Sequence, residues 1–158
     1  MIDRTISIRT MQKFDVARVH EIEKESFLTP WSFESFMHEM GNPRAVAFVA
    51  ERAGIVIGYV ICQVVLDEAQ IGTFAIDSAF RRKKIGSFLF SCLVELLVQK
   101  NVETVHLEVR RTQIVAQRCY RKWGFEVIGV RRNYYSKEKD DALLMNLSLK
   151  EGWHNELV

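Results

Sequence analysis

Four basic side chains in a row, set where a strand hands over to a helix, carry the clearest chemistry in this chain. IGTFAID has strand character, SAFRRKKIG reads as a loop and SFLFSCLVELL as the helix that follows. A loop entering a helix N-terminus presents unpaired backbone N–H groups and the positive end of the helix dipole, which suits a phosphate or pyrophosphate. Arg81, Arg82, Lys83 and Lys84 add charge, and Gly86, lacking a Cβ, lets the backbone approach a ligand closely. The run is neither a Walker GxxxxGKS/T loop nor a dinucleotide GxGxxG turn. A second acid-free window holds Arg110, Arg111, Arg118, Arg121 and Lys122, and the two windows together contain nine of the 22 Lys and Arg residues. Either window alone is a solvated face. Both together indicate an anionic ligand, nucleic acid or a phosphate-bearing cofactor, and composition does not separate the two.

Two further residues have the types that move protons. Glu108 lies on a strand between Leu107 and Val109, with His106 two positions earlier on the same face. A carboxylate there is costly unless solvated or paired, so a salt bridge to Arg110 or Arg111 is the structural alternative to a catalytic role. Tyr120 sits on a helix ending at Gly124, where its ring can pack in the core and its phenol can donate a proton. Tyr134 and Tyr135 read as loop anchors, and Trp31 as a core or loop anchor. His20, His38, Cys62 and Cys92 carry no assigned role.

These residues need positioning elements. Thr5 to Arg9 alternates with period 2 and reads as a strand; Phe14 to Phe27 places Val16, Val19, Ile22 and Ser26 at helical spacing. Ser32 is a plausible N-cap for a short helix carrying Phe33, Phe36 and Met37 and ending near Gly41-Asn42-Pro43. Ala45 to Glu51, Ile55 to Val65 and Gln70 to Ile76 read as an antiparallel meander. Then come a long helix, Gly86 to Lys100, a strand, Thr104 to Val109, and a helix, Gln113 to Trp123. Strands Phe125 to Arg131 and Ala142 to Leu149 flank a polar loop running through Tyr134, Tyr135 and Lys137 to Asp141. The order βααβββαβαββ predicts a mixed sheet with helices on both faces.

A length of 158 residues, 48% of them hydrophobic, predicts a single domain, 1–158, large enough for a core without disulfide or metal staples. Residues 1–77 carry net charge −4 and residues 78–158 net +6, within a total of +2. The apolar stretches Ile55 to Leu66 and Phe88 to Val98 are shorter than the roughly 18 residues of a membrane span. No basic segment followed by an apolar one opens the chain, so the expectation is a soluble protein in the cytoplasm. Cys62, Cys92 and Cys119, without CxxC or Cys/His spacing, predict buried thiols rather than disulfides or a metal site.

Arg81-x-x-Lys84-x-Gly86 lies where the GNAT superfamily of N-acetyltransferases carries Q/R-x-x-G-x-G/A, the motif that holds the pyrophosphate of acetyl-CoA. PWSFESF, ICQVVLDEAQ, HLEVR, CYRKWGFEVIGVRRNYY and DALLMNLSL follow in an order and at separations similar to the branch of that superfamily that acetylates the N-terminal alanine of ribosomal proteins. The resemblance spans Ile6 to Leu149, and LEVR with a downstream Y-x-x-x-G-F and RRNYY is its most specific part. Lys84 stands in place of the motif's first glycine, so its backbone is expected to avoid the positive φ that glycine tolerates. Gln113 replaces the usual asparagine and Cys119 the usual leucine.

The resemblance implies an α/β (α+β) fold built on a mixed, mostly antiparallel central sheet with helices on both faces. It implies acetyl-CoA bound by Ile76, Arg81, Arg82, Lys83, Lys84, Ile85, Gly86, Ser87 and Gln113, its pantetheine arm along Gln70 to Ile76. Glu108 becomes the general base and Tyr120 the proton donor to the departing thiolate. Trp31, Tyr134 and Tyr135 border the acceptor, the N-terminal peptide of a ribosomal protein. Attack is direct, with no metal, no membrane and no direct nucleic-acid contact; Cys119 as an acyl carrier is the less favoured route. Two alternatives stand beside this reading: an enzyme of the same superfamily acting on a lysine side chain or small amine, and a non-catalytic RNA- or ribosome-binding module.

Overall fold

The structure, a computed structural model, describes residues 3–135 and 140–153. Seven strands form one sheet: β1 (Ile6–Thr10), β2 (Ala45–Arg52), β3 (Ile55–Val65), β4 (Glu68–Ile76), β5 (Thr104–Arg110), β6 (Glu126–Tyr135) and β7 (Asp140–Ser148). Their order across the sheet is β1-β2-β3-β4-β5-β7-β6, and every pairing is antiparallel except β4 with β5. The helices are α1 (Val16–Ser26), α2 (Phe33–Met40), α3 (Ile85–Gln99) and α4 (Ile114–Lys122). The mixed, mostly antiparallel α/β fold is therefore the observed one.

Strand periodicity decides which helix packs on which face. On β3, Tyr59 and Ile61 point into a cluster with Val16, Val19 and Ile22 of α1 and Phe36 of α2. The intervening Val60 and Cys62 point to the opposite face, where Leu89, Phe90, Leu93 and Leu97 of α3 cover them. Fully burying each such aliphatic or aromatic side chain stabilises the fold by about 1.5–3 kcal/mol. The end of α4 joins the second layer through Trp123, whose indole stacks on Phe90 at 4.6 Å. Ser32 caps α2 as expected, its Oγ accepting from the Ser35 N–H at 3.1 Å.

Two boundaries differ from expectation. Lys13–Asp15 forms a 3₁₀ turn before α1, because the Asp15 carboxylate is pinned by the Arg9 guanidinium and the Gln12 N–H. Tyr134 and Tyr135, expected in a loop, belong to β6, which keeps pairing with β7 through a register shift that sets Tyr135 opposite Asp140. Lys137 of the expected loop lies outside the described residues. Among the described residues no helix is long and apolar enough to cross a membrane.

Candidate active site

The parallel pair is also where the sheet opens. β4 and β5 pair only from Glu68 to Gln70 against Thr104 to His106. Beyond that point β4 stays with β3 and β5 with β7, so the two strands diverge and a cavity of about 510 Å³ fills the gap. Its walls are the open stretches of β4 and β5, the segment from α1 into α2, and the first turns of α4. Backbone groups of β4 that face this gap have lost their strand partner and are left for a ligand.

Of the residues singled out from sequence, Trp31, Glu108, Gln113, Tyr120 and Tyr134 all line this cavity. Glu108 is partly exposed, and its ion pair runs to Arg131 Nη1 on β6 at 3.4 Å. The partner expected for it, Arg110 or Arg111, is replaced for a geometric reason: Arg110 is buried and reaches Thr29 Oγ1 at 2.7 Å, while Arg111 turns to Asp141 at 3.9 Å. The Arg131 guanidinium also lies 5.3 Å from the Tyr134 ring centroid, so Tyr134, Arg131 and Glu108 form a chain along the cavity mouth. His106 is not part of the site; its ring meets Glu68 at 3.2 Å.

Tyr120 packs edge-on against Trp123 and Phe125, which satisfies the core reading of its ring. Its hydroxyl has no hydrogen-bond partner among the described residues. Burial pushes the phenol well above its ordinary range, with Cys119 beside it acting in the same direction, so the group keeps its proton through neutral pH.

The expected phosphate-binding residues cluster at the other end of β4. The first turn of α3 contains no acid, Lys84 provides no side-chain cap, and the N–H groups of Ile85, Gly86 and Ser87 have no partner within the helix. Arg82 and Lys84 both adopt left-handed backbone, at φ 63° and 62°. This overturns the expectation that Lys84 avoids positive φ: the turn demands that conformation whichever residue occupies it, at a cost of about 1–2 kcal/mol for a side chain with a Cβ. A Cβ at Gly86 would make only ordinary contacts of 3.7–3.8 Å, so the fold itself does not require glycine there. The features fit a diphosphate: free donors, excess positive charge and a backbone without side-chain cover.

Several members of that group also bond or pack within the fold. Arg81 spends its guanidinium on the Ile76 carbonyl at 3.0 Å and Ser26 Oγ at 3.2 Å, tying the end of β4 to α1. The Ile85 side chain is buried beside Ile6, Ala50 and Ile57, leaving only its backbone for a ligand, and Ile76 packs against the same cluster. Ser87 Oγ accepts from Trp123 Nε1 at 3.1 Å. Lys83 rests with its Nζ 5.6 Å from the Phe80 ring centroid. The side chain of Tyr135 lies outside the described residues.

The cavity also contains residues that sequence did not single out. Glu23 of α1 is buried; its Oε1 accepts from Tyr59 Oη and Thr73 Oγ1, each at 2.5 Å, and its Oε2 from the Trp31 N–H at 3.0 Å. Within the helical pattern of α1 an acid next to Ile22 looks like any solvated position, and only the tyrosine and threonine arriving from β3 and β4 mark it as interior. Gly72 is the extra residue of a bulge, since Ile61 faces Thr73 while Cys62 faces Ile71. The Trp31 ring lies against it: a Cβ on Gly72 would come within 2.8 and 2.9 Å of that ring.

Comparison with known proteins shows the family and the fold. Residues 16–125 match the acetyltransferase (GNAT) family. A Bacillus subtilis (strain 168) relative that bears the name [ribosomal protein bS18]-alanine N-acetyltransferase provisionally is 39% identical over 146 residues, covering 92% of this chain and 97% of its own. The crystal structure of the ribosomal-protein-S18-alanine N-acetyltransferase from Escherichia coli superposes with a TM-score of 0.86 at 30% identity, covering 97% of this chain and 98% of that one. Arabidopsis thaliana NAA60, solved in complex with acetyl-CoA, shares the fold with a TM-score of 0.83 at 19% identity, over 92% of this chain and 99% of its own.

Proposed function

Because the chain belongs to the acetyltransferase (GNAT) family, we propose that it is an N-alpha-acetyltransferase that moves acetyl from acetyl-CoA to the N-terminal amine, alanine above all, of a ribosomal protein in the cytoplasm. Residues 1–158 act in this reading as one catalytic domain. The observation that carries it is the meeting of a carboxylate, Glu108, and a phenol without a hydrogen-bond partner among the described residues, Tyr120, in one cavity where β4 and β5 part, with a diphosphate-type loop at the end of β4.

Acetyl-CoA, when bound, supplies an acetyl group already activated as a thioester. The backbone N–H groups of residues 85–87, with Arg82, Lys83 and Lys84 around them, hold the diphosphate. Arg81 keeps that loop fixed to α1 rather than touching the phosphates. The open edge of β4 from Ile71 to Ile76 orients the pantetheine arm, and Gln113 completes the wall at the start of α4. Trp31 and Tyr134 border the acceptor, with Tyr135 following on β6.

Glu108 takes the proton of the acceptor amine, directly or through water. The demand is small, because an α-amino group with pKa about 7.7–8.0 loses its proton near neutrality at a cost of about 1 kcal/mol. Tyr120 holds on its hydroxyl the proton that the departing sulfur requires. Most of the acceleration then comes from holding amine and thioester together in the cavity.

The test compares three acceptors under one set of conditions: an N-terminal-alanine peptide, its N-acetylated form carrying a free lysine, and a small primary amine. Thiol release and mass spectrometry should place acetyl on the alanine amine. Preference for the lysine or the small amine would replace this acceptor class with another.

A further inference from the structure

Glu23 is the acid of the cavity for which proton transfer leaves no use. It is 2% exposed yet lines the cavity, and its three hydrogen-bond donors, the Tyr59 and Thr73 hydroxyls and the Trp31 N–H, are all neutral. Among the described residues it makes no ion pair. The other charges on these walls are engaged elsewhere: Glu108 faces Arg131, and Arg110 donates to Thr29. A buried carboxylate with neutral donors alone has no positive partner, in surroundings where an unmatched charge is costly.

That charge is felt by its neighbours. The Tyr59 phenol is pushed far above its ordinary range, by burial first and by the charge of Glu23 next, and Glu108, Arg110, Tyr120 and Tyr134 are the other ionisable side chains that line the cavity. Three donors also leave a carboxylate, with about four acceptor sites, room for one more. The ligand chemistry that answers a single buried negative charge with one remaining acceptor site is a primary ammonium.

We propose that Glu23 is the anchor that draws the acceptor's cationic N-terminus into the cavity and holds it there for Glu108. The proposal rests on the acetyl-transfer reading above, and it adds that the acceptor is recognised by its charge. Near neutrality an α-amine with pKa about 7.7–8.0 is largely protonated, so the ammonium is the form that arrives. Glu23 then discriminates it from an N-terminus that is already acylated.

The test uses the full chain and an N-terminal-alanine peptide, with KM measured separately for peptide and acetyl-CoA across neutral pH. In Glu23→Gln the amide carbonyl can keep the Trp31 N–H while the amide NH₂ faces the two hydroxyls, which can reverse their donor roles. The expected result is a peptide KM raised about 10-fold or more below about pH 7.7, with the acetyl-CoA KM changed less than about twofold. Both KM values rising together, or kcat falling at constant peptide KM, would overturn the proposal.

A second measurement needs no variant. Titration of the wild-type chain with the peptide and with its des-amino analogue should show the amine bound about 10-fold tighter at low pH, the advantage shrinking above about pH 8. Equal affinities overturn the proposal whether or not Glu23→Gln folds. A wild-type chain that acetylates no N-terminal peptide at all would instead count against the enzymatic reading.

Discussion

Replacing Gly72 with alanine tests how tightly the acceptor wall is built. Gly72 lies outside the positive-φ residues, so its backbone accepts a side chain, and in a strand alanine is favoured over glycine by about 0.5–1 kcal/mol. Against that gain stands a Cβ 2.8 Å from the Trp31 ring. The ring cannot simply swing away, because its residue is held by the bond from its N–H to Glu23 and its face by Phe36 at 5.3 Å. Forcing one extra methyl into such packing costs about 1–3 kcal/mol. The net loss, about 0–2.5 kcal/mol with its centre a little above 1, should at that centre lower Tm by about 2–5 °C for a chain of this length. Thermal unfolding by circular dichroism should show that loss, and the peptide KM should rise as the indole is displaced. With Trp31→Ala the clash disappears, so Gly72→Ala in that background should be neutral or stabilising, giving a coupling energy of about 1–3 kcal/mol. Additive effects, or a Gly72→Ala chain more stable than the parent, would refute the contact and with it the fixed wall.

Three other outcomes follow from the geometry. Gly86→Ala should hold or raise Tm, since the fold has room for the methyl, while weakening acetyl-CoA in isothermal titration; unchanged affinity would move the diphosphate elsewhere. The Ala79 N–H, and after it the Arg18 guanidinium, hold the Asp77 carboxyl below the usual carboxylate range. Its stabilising contribution is therefore present above the unfolded value of about 3.9 and is lost as pH falls through the lower folded value, so Asp77→Asn should flatten the drop in Tm between about pH 5 and pH 2. Tyr59 and Tyr120 are both raised, so the folded chain keeps phenols that the unfolded chain ionises above about pH 10; stability should fall in that alkaline range, and less steeply in Tyr120→Phe.

Much of this architecture could be read from residue order, for identifiable reasons. The meander, the two late βα units and the capped α2 are local patterns: alternating Val and Ile on β3, Ser32 ahead of Phe33, Gly124 after α4. Glu108 and Tyr120 could be placed from local pattern, as a lone acid between apolar strand neighbours and a tyrosine on an amphipathic helix, whereas the roles proposed for them came from the family resemblance and not from the pattern. Non-local pairings were not legible. Arg131 reaches Glu108 across β7, a partnership that depends on strand order, and nearer arginines in sequence turn elsewhere. Glu23 becomes interior only when Tyr59 and Thr73 close over it. Lys84 shows the limit of residue preference, since a turn fixed at both ends imposed φ 62° on a side chain that ordinarily avoids it.

The most direct test of the central claim is acetyl transfer itself, followed by mass spectrometry on an N-terminal-alanine peptide incubated with acetyl-CoA and the wild-type, Glu108→Gln or Tyr120→Phe chain. Acetyl should appear on the alanine amine with matching release of thiol, and each substitution should slow it by about 10²–10⁴-fold. Transfer that proceeds undiminished in both variants, or no transfer by the wild-type chain, would contradict the account.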